Sequence, residues 1–499
     1  AVTIGDNNIA IGVSAGDALT SGKNNVLMGL DAGGAMTTGY ENIGIGYLAL
    51  GTGTNTGARN TAIGYKALED ITDGGYNTVV GSEAGKALTT GDENIFIGQS
   101  AGNSTLEVQY AVCVGNGITG VMTTAANGSV FIGHTAGRKI TTGEFNTALG
   151  YQALYTASGS DQNTAIGYQA LKTHNAGSDG EGWITAVGYK AGTAITTGPM
   201  NSLFGTNAGL AITTGGYNTV MGGHAGRTST TVNYLTALGY GAGRGGNMTS
   251  DADGTVFIGG HAGRYMTTGQ YNVAIGYEAL YTATELDKNT AIGYQALKVM
   301  SASAGYGDNT VVGYLAGTAN TTGYQNTLMG SNVGKSLTTG HKNVAIGANA
   351  LDATATGYYN VAVGFNALTA LNNGGAEYST AVGYHAGYGA TSGIENTFVG
   401  ANAGQSVTTG DFNTMVGIGA GNAGGDVDNT VLIGRAAANN QTMTADADGT
   451  VAVGAFAGNN IKTGQYNTAI GYEAMRTATE LDKNTAIGYQ ALSVASGSA

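Results

Sequence analysis

Two short segments carry the residue types of a calcium loop. Asp251-Ala252-Asp253-Gly254 and Asp446-Ala447-Asp448-Gly449 each place two carboxylates two residues apart before a glycine. Hard cations take six to eight oxygen ligands, and such spacing supplies the first of them. The set is short of ligands, and the matching segment Ala125-Ala126-Asn127-Gly128 has no acid. Asp251, Asp253, Asp446 and Asp448 are therefore the metal candidates, and a solvated loop is the alternative reading. The six histidines, His134, His174, His224, His261, His341 and His385, do not cluster along the chain. A metal site needs three or four converging ligands, so these side chains are expected on the solvent side. Carboxylate pairs for glycoside cleavage cannot be singled out, and no Ser-His-Asp or Cys-His constellation is evident. The sequence predicts no catalytic residue and no cofactor.

What holds these residues is a repeat. The phrase Asn60-Thr61-Ala62-Ile63-Gly64-Tyr65-Lys66-Ala67-Leu68 returns in variants along the whole chain. With its glycine as offset zero there are 28 copies, and 20 of the 27 intervals are 17 residues long. A fixed period with a few insertions means one coil per repeat and insertions in loops. The glycines belong to this period, so they are not phosphate-binding loops, which need a strand–loop–helix context.

The period is too short for two helices and a turn. The 89 glycines among 499 residues also oppose helix, since each costs about 1 kcal/mol relative to alanine. Collagen needs a strict triplet, which is missing. Hydrophobic residues make up 42% and proline occurs once, at Pro199, which argues against disorder. The fold class predicted is all-β, a parallel β-solenoid or β-roll of about 28 coils, read as one continuous domain over 1–499. Each coil is expected to hold a short strand, a glycine kink, a second extended piece and a loop.

Individual offsets refine this. Offset −1 is apolar in all 28 copies and offset +3 is alanine in 26. Ile63, Ile166, Ile292 and Ile487, with Ala67, Ala170 and Ala296, are the predicted structural core. Offset −4 is asparagine in 20 copies. Stacking puts these amides in register, where they can ladder. Offset −2 is also hydrophobic, except at Gly44. Successive strand residues face opposite ways, so two adjacent apolar offsets mean a strand covered on both sides. One face fills the coil. The other needs a cover, and another copy of the chain supplies it. Phe96, Phe131, Phe257 and Phe398 at offset −2 are the intersubunit candidates. A wider single-chain coil with both offsets near its interior is the alternative.

Tyrosine occupies offset +1 in 12 copies, including Tyr151, Tyr168 and Tyr294. Such ladders can stack on sugars or on one another. The net charge of −13 is a poor match to nucleic acid. No apolar run approaches the ~20 residues of a membrane span, so no membrane insertion is expected.

The phrase Asn-Thr-Ala-Ile-Gly-Tyr-Gln-Ala-Leu, at 163–171 and 289–297, resembles the head repeats of trimeric autotransporter adhesins and similar repeats of bacteriophage tail fibres. The resemblance covers essentially the whole chain. It implies a trimeric β-roll and an extracellular place on a virion or cell surface, although those heads usually have repeats shorter than 17 residues. The function expected is a structural or adhesive fibre, self-associating as a homotrimer and binding a surface receptor or glycan. A self-assembling filament without a ligand is the alternative. A polysaccharide depolymerase ranks below both, and an enzyme is not expected.

Overall fold

The computed structural model describes residues 5–118, 122–123, 126–177, 182–301, 307–372, 378–440 and 442–494. The chain forms two compact units, 1–253 and 254–499. Numbered in chain order, strands β1 (Ile9–Ile11) to β14 (Thr236–Leu238) lie in the first unit. Strands β15 (Val256–Ile258) to β28 (Thr485–Ile487) lie in the second. Every strand is three residues long and spans offsets −3 to −1. Within each unit neighbouring strands pair parallel and in register. In the pair β5 (Thr78–Val80) and β6 (Ile95–Ile97), Thr78, Val79 and Val80 face Ile95, Phe96 and Ile97. The parallel β-solenoid with a 17-residue period is therefore the fold of both units. At ~4.8 Å per coil, fourteen coils rise about 60 Å.

The strand ends at the offset-zero glycine because the backbone there leaves the β region. Gly330 has φ +145°, and a Cβ on it would lie 2.6 Å from the Gly347 carbonyl oxygen of the next coil. Two backbones meet at this point, so glycine is required for space as well as for torsion. The second extended piece expected from the sequence is not a strand. In the Gly81 coil, Glu83 and Gly85 at offsets +2 and +4 are left-handed, at φ 56° and 54°. Left-handed residues turn the chain instead of extending it. Their N–H groups are still satisfied between coils: Glu83 donates to the Tyr65 carbonyl at 2.7 Å and Gly85 to that of Ala101 at 2.8 Å.

The core is thin and ordered by offset. Ala67, Ala170 and Ala296 at offset +3 are fully buried, as the sequence indicates. The isoleucines are not. Ile63 is 37% exposed and Ile487 68%, while Ile166 and Ile292 are half-buried. The inward strand residue is offset −2. Phe96, Phe131, Phe257 and Phe398 are completely buried within the single chain. The assignment of the two faces is thus reversed: these phenylalanines fill the coil, and offset −1 points out. In a period-two element one step of parity moves the whole set to the other face. Cys113 belongs to the inward row, stacked in register between Phe96 and Phe131. Burial pushes its thiol up, so it acts as a small apolar filler.

The asparagine ladder forms inside the turn before the strand. Asn77 Nδ2 donates to Asn60 Oδ1 at 3.0 Å and to the Gly91 carbonyl at 2.8 Å. The Asn94 backbone N–H donates to Asn77 Oδ1 at 3.0 Å. Asn60, Asn77 and Asn94 are all fully buried. Burying an amide is costly unless its bonds are made, and stacking identical coils makes them.

Candidate functional site

Inversion of the strand leaves an apolar outer face. Offset −1 contributes Ile97, Ile132 and Leu149 in the first unit, and Met329, Ile346 and Ile470 in the second. All six are 36–43% exposed. Offset −3 adds threonine and valine beside them, and offset +1 adds tyrosine. Fourteen rows about 10 Å wide make a strip on the order of 600 Å² per unit. A strip of that size is at the upper end of the apolar patches that monomeric proteins expose, which are often functional.

The offset +1 tyrosines form ring ladders along this strip. His134, Tyr151, Tyr168 and Tyr189 stack in succession with centroids 5.5, 5.2 and 5.3 Å apart and planes within 12°. In the second unit Tyr277, Tyr294 and Tyr314 do the same at 5.7 and 5.3 Å. Tyr151 and Tyr168 are each covered on both faces by neighbouring rings. A sugar stacks on an open ring face, so these two present only their edges to a ligand.

The four aspartates lie in or beside short 3-10 turns, Ser250–Ala252 and Ala445–Ala447. Asp253 Oδ1 accepts the Asn233 backbone N–H at 2.6 Å, and its Oδ2 accepts the Asn233 amide at 3.0 Å. Asp448 Oδ1 accepts the Asp428 backbone N–H at 2.8 Å. Burial, with Asp428 and Asp446 nearby, raises the Asp448 carboxyl above its ordinary range. These carboxylates tie one coil to the previous one. No group of three His, Cys, Asp or Glu is placed to hold a metal among the described residues, and Asp251 and Asp446 join no such group.

His174 departs from the solvent-side expectation. It sits at offset +7, where Leu19, Ile71, Leu88 and Ile140 are core residues, and it is fully buried. Among the described residues neither ring nitrogen has a hydrogen-bond partner of good geometry, and the contact with the Thr196 backbone offsets little of the burial. Burial holds its imidazole far below the usual range, at about 4. The unfolded histidine titrates near 6.5. Between these values the unfolded chain binds a proton that the folded chain does not. Stability therefore falls as pH drops from about 6.5 to about 4, by about 3 kcal/mol. Denaturant titrations of His174→Leu and the unchanged chain at pH 7 and pH 4.5 check this. Over that pH interval the leucine variant should lose about 2.5 kcal/mol less stability than the unchanged chain. Equal losses would show that His174 is not buried neutral.

No protein-family model matches the chain, and no curated protein matches it. No helix among the described residues is long and apolar enough to cross a membrane.

Proposed function

We propose that the chain is a structural fibre protein that self-associates through the outer strip. The carrying observation is the row of apolar residues at offset −1, exposed on half of the coils and half-buried on the others. With the two strand faces exchanged, the outer apolar face still calls for a covering layer. About 600 Å² per unit approaches the ~800 Å² that each partner of a stable complex contributes. The count of three chains, and the extracellular place on a virion or cell surface, lean on the resemblance to adhesin heads and tail fibres. In this reading the protein is a shaft that carries adhesion, and it is not an enzyme. A receptor or surface glycan meets residues other than the doubly stacked Tyr151 and Tyr168, whose faces are taken.

Sedimentation equilibrium tests it. The unchanged protein should have three times the mass of the 49.7-kDa chain. Changing Ile97 and Ile132 together to Asp places like charges from each copy in a dry contact, which is costly without partners. That variant should sediment as a folded single chain with an unaltered far-UV circular dichroism spectrum. A monomeric unchanged protein overturns self-association.

A further inference from the structure

One corner of the first unit, at offsets −6 and −5, already holds a cation. The Arg59 guanidinium lies 5.1 Å from the Tyr76 ring centroid and 6.0 Å from that of Tyr40. It pairs with Glu41 at 2.8 Å and hydrogen-bonds the Tyr76 hydroxyl. A cation between two rings with one carboxylate is the local solution for positive charge.

Tyr76, which Arg59 already contacts, also belongs to a second such arrangement, and that one has no arginine of its own. Tyr76 and Tyr110 share offset −5 two coils apart, and Glu93 holds that offset on the coil between. Both rings are 55% exposed. They line one open cleft of about 330 Å³ with Asp73, Gly75, Asp92 and Glu93, and no basic side chain lines it. Asp92 is occupied, since its Oδ1 accepts the Gly75 N–H at 2.6 Å. The exposed Glu93 side chain takes part in no ion pair or hydrogen bond among the described residues. Two coil rises separate the tyrosines by about 9.6 Å. A cation midway is about 4.8 Å from each, inside the ~6 Å reach of a cation–π contact.

We propose that this cleft binds an organic cation of the guanidinium or alkylammonium class, held between Tyr76 and Tyr110 and paired with Glu93. The site stands apart from self-association, because it uses the corner and not the outer strip. The offset accepts its replacements: Gln162 and Gln325 occupy it elsewhere, as do Asn24 and Asn429, all with left-handed backbone. The full chain is titrated calorimetrically with L-arginine methyl ester and with the neutral citrulline methyl ester. Saturable binding of the arginine ester is expected, with the citrulline ester at least tenfold weaker. Glu93→Gln and Tyr110→Asn should each weaken binding at least fivefold with unaltered circular dichroism. An Ala-Arg-Ala peptide that binds more tightly than the ester marks a partner's side chain as the source. Equal or weaker binding of the peptide marks a free small cation. No saturable binding of the arginine ester, equal binding of the neutral ester, or unchanged binding by both folded variants overturns the proposal.

Discussion

Gly330→Ala should cost about 4 kcal/mol or more and abolish cooperative folding of the coils around it. Two penalties combine. The backbone at φ +145° lies where side-chain-bearing residues are strained, at about 1–3 kcal/mol. The new methyl would stand 2.6 Å from the Gly347 oxygen and 2.7 Å from its carbonyl carbon. Neither is the end of a flexible side chain, so the coils must separate. Separation breaks the ladder bonds beside the clash, including the Gly347 N–H to the Met329 carbonyl at 2.8 Å. Gly177→Ala is the control. Its φ is +82°, yet a Cβ there meets nothing within 4 Å, so it pays strain alone. Thermal melts of the two variants should separate widely. Similar melting temperatures would mean that the glycine row serves torsion and not close approach.

The solenoid was legible because its coils are alike. A 17-residue spacing of Asn, an apolar pair and Gly leaves one way to stack, and the asparagine ladder follows from in-register repetition. Parity was not legible from hydrophobicity, since offsets −1 and −2 are both apolar. Side-chain volume carries that information. The leucine or methionine at offset +4, as in Leu50, Leu68, Leu154, Leu280 and Met475, is paired with Gly44, Ala62, Ala148, Ala274 and Ala469 at offset −2. Large residues at offset −2 go with glycine or alanine at +4, as in Phe96 with Gly102, Leu328 with Gly334 and Leu432 with Ala438. Two positions that exchange volume share one interior, which puts offset −2 inside. The leucines also hid the turn, because Leu68 at φ 48° and Leu280 at 49° adopt a conformation that side chains rarely take. His174 was misjudged by residue type, where the apolar residues at the same offset of other coils mark the position as core. At the corner cleft, Tyr76 and Tyr110 share offset −5 with Glu93 on the coil between, so no run of adjacent rings marks the position in the sequence.

The volume exchange yields the second large effect, and the Phe96–Gly102 pair isolates it. Phe96→Ala should destabilise by about 3–5 kcal/mol, since it empties a fully buried aromatic site. Gly102→Leu alone should also be costly. A Cβ at Gly102 would lie 2.8 Å from Phe96 Cδ2, and overpacking of this kind costs about 1–3 kcal/mol before backbone strain is added. The strain does not bar leucine, because Gly102 at φ 61° is close to Leu50 at 55° and Leu154 at 51°. Together the two changes rebuild the Ala62–Leu68 arrangement in another coil, with leucine entering the space the ring leaves. The double variant should therefore be more stable than Phe96→Ala alone, with a coupling of at least about 2 kcal/mol in a double-mutant cycle. Guanidinium unfolding of the four proteins measures it. Additive losses would mean that offsets −2 and +4 do not share a core, and that the exchange seen across the coils has another cause.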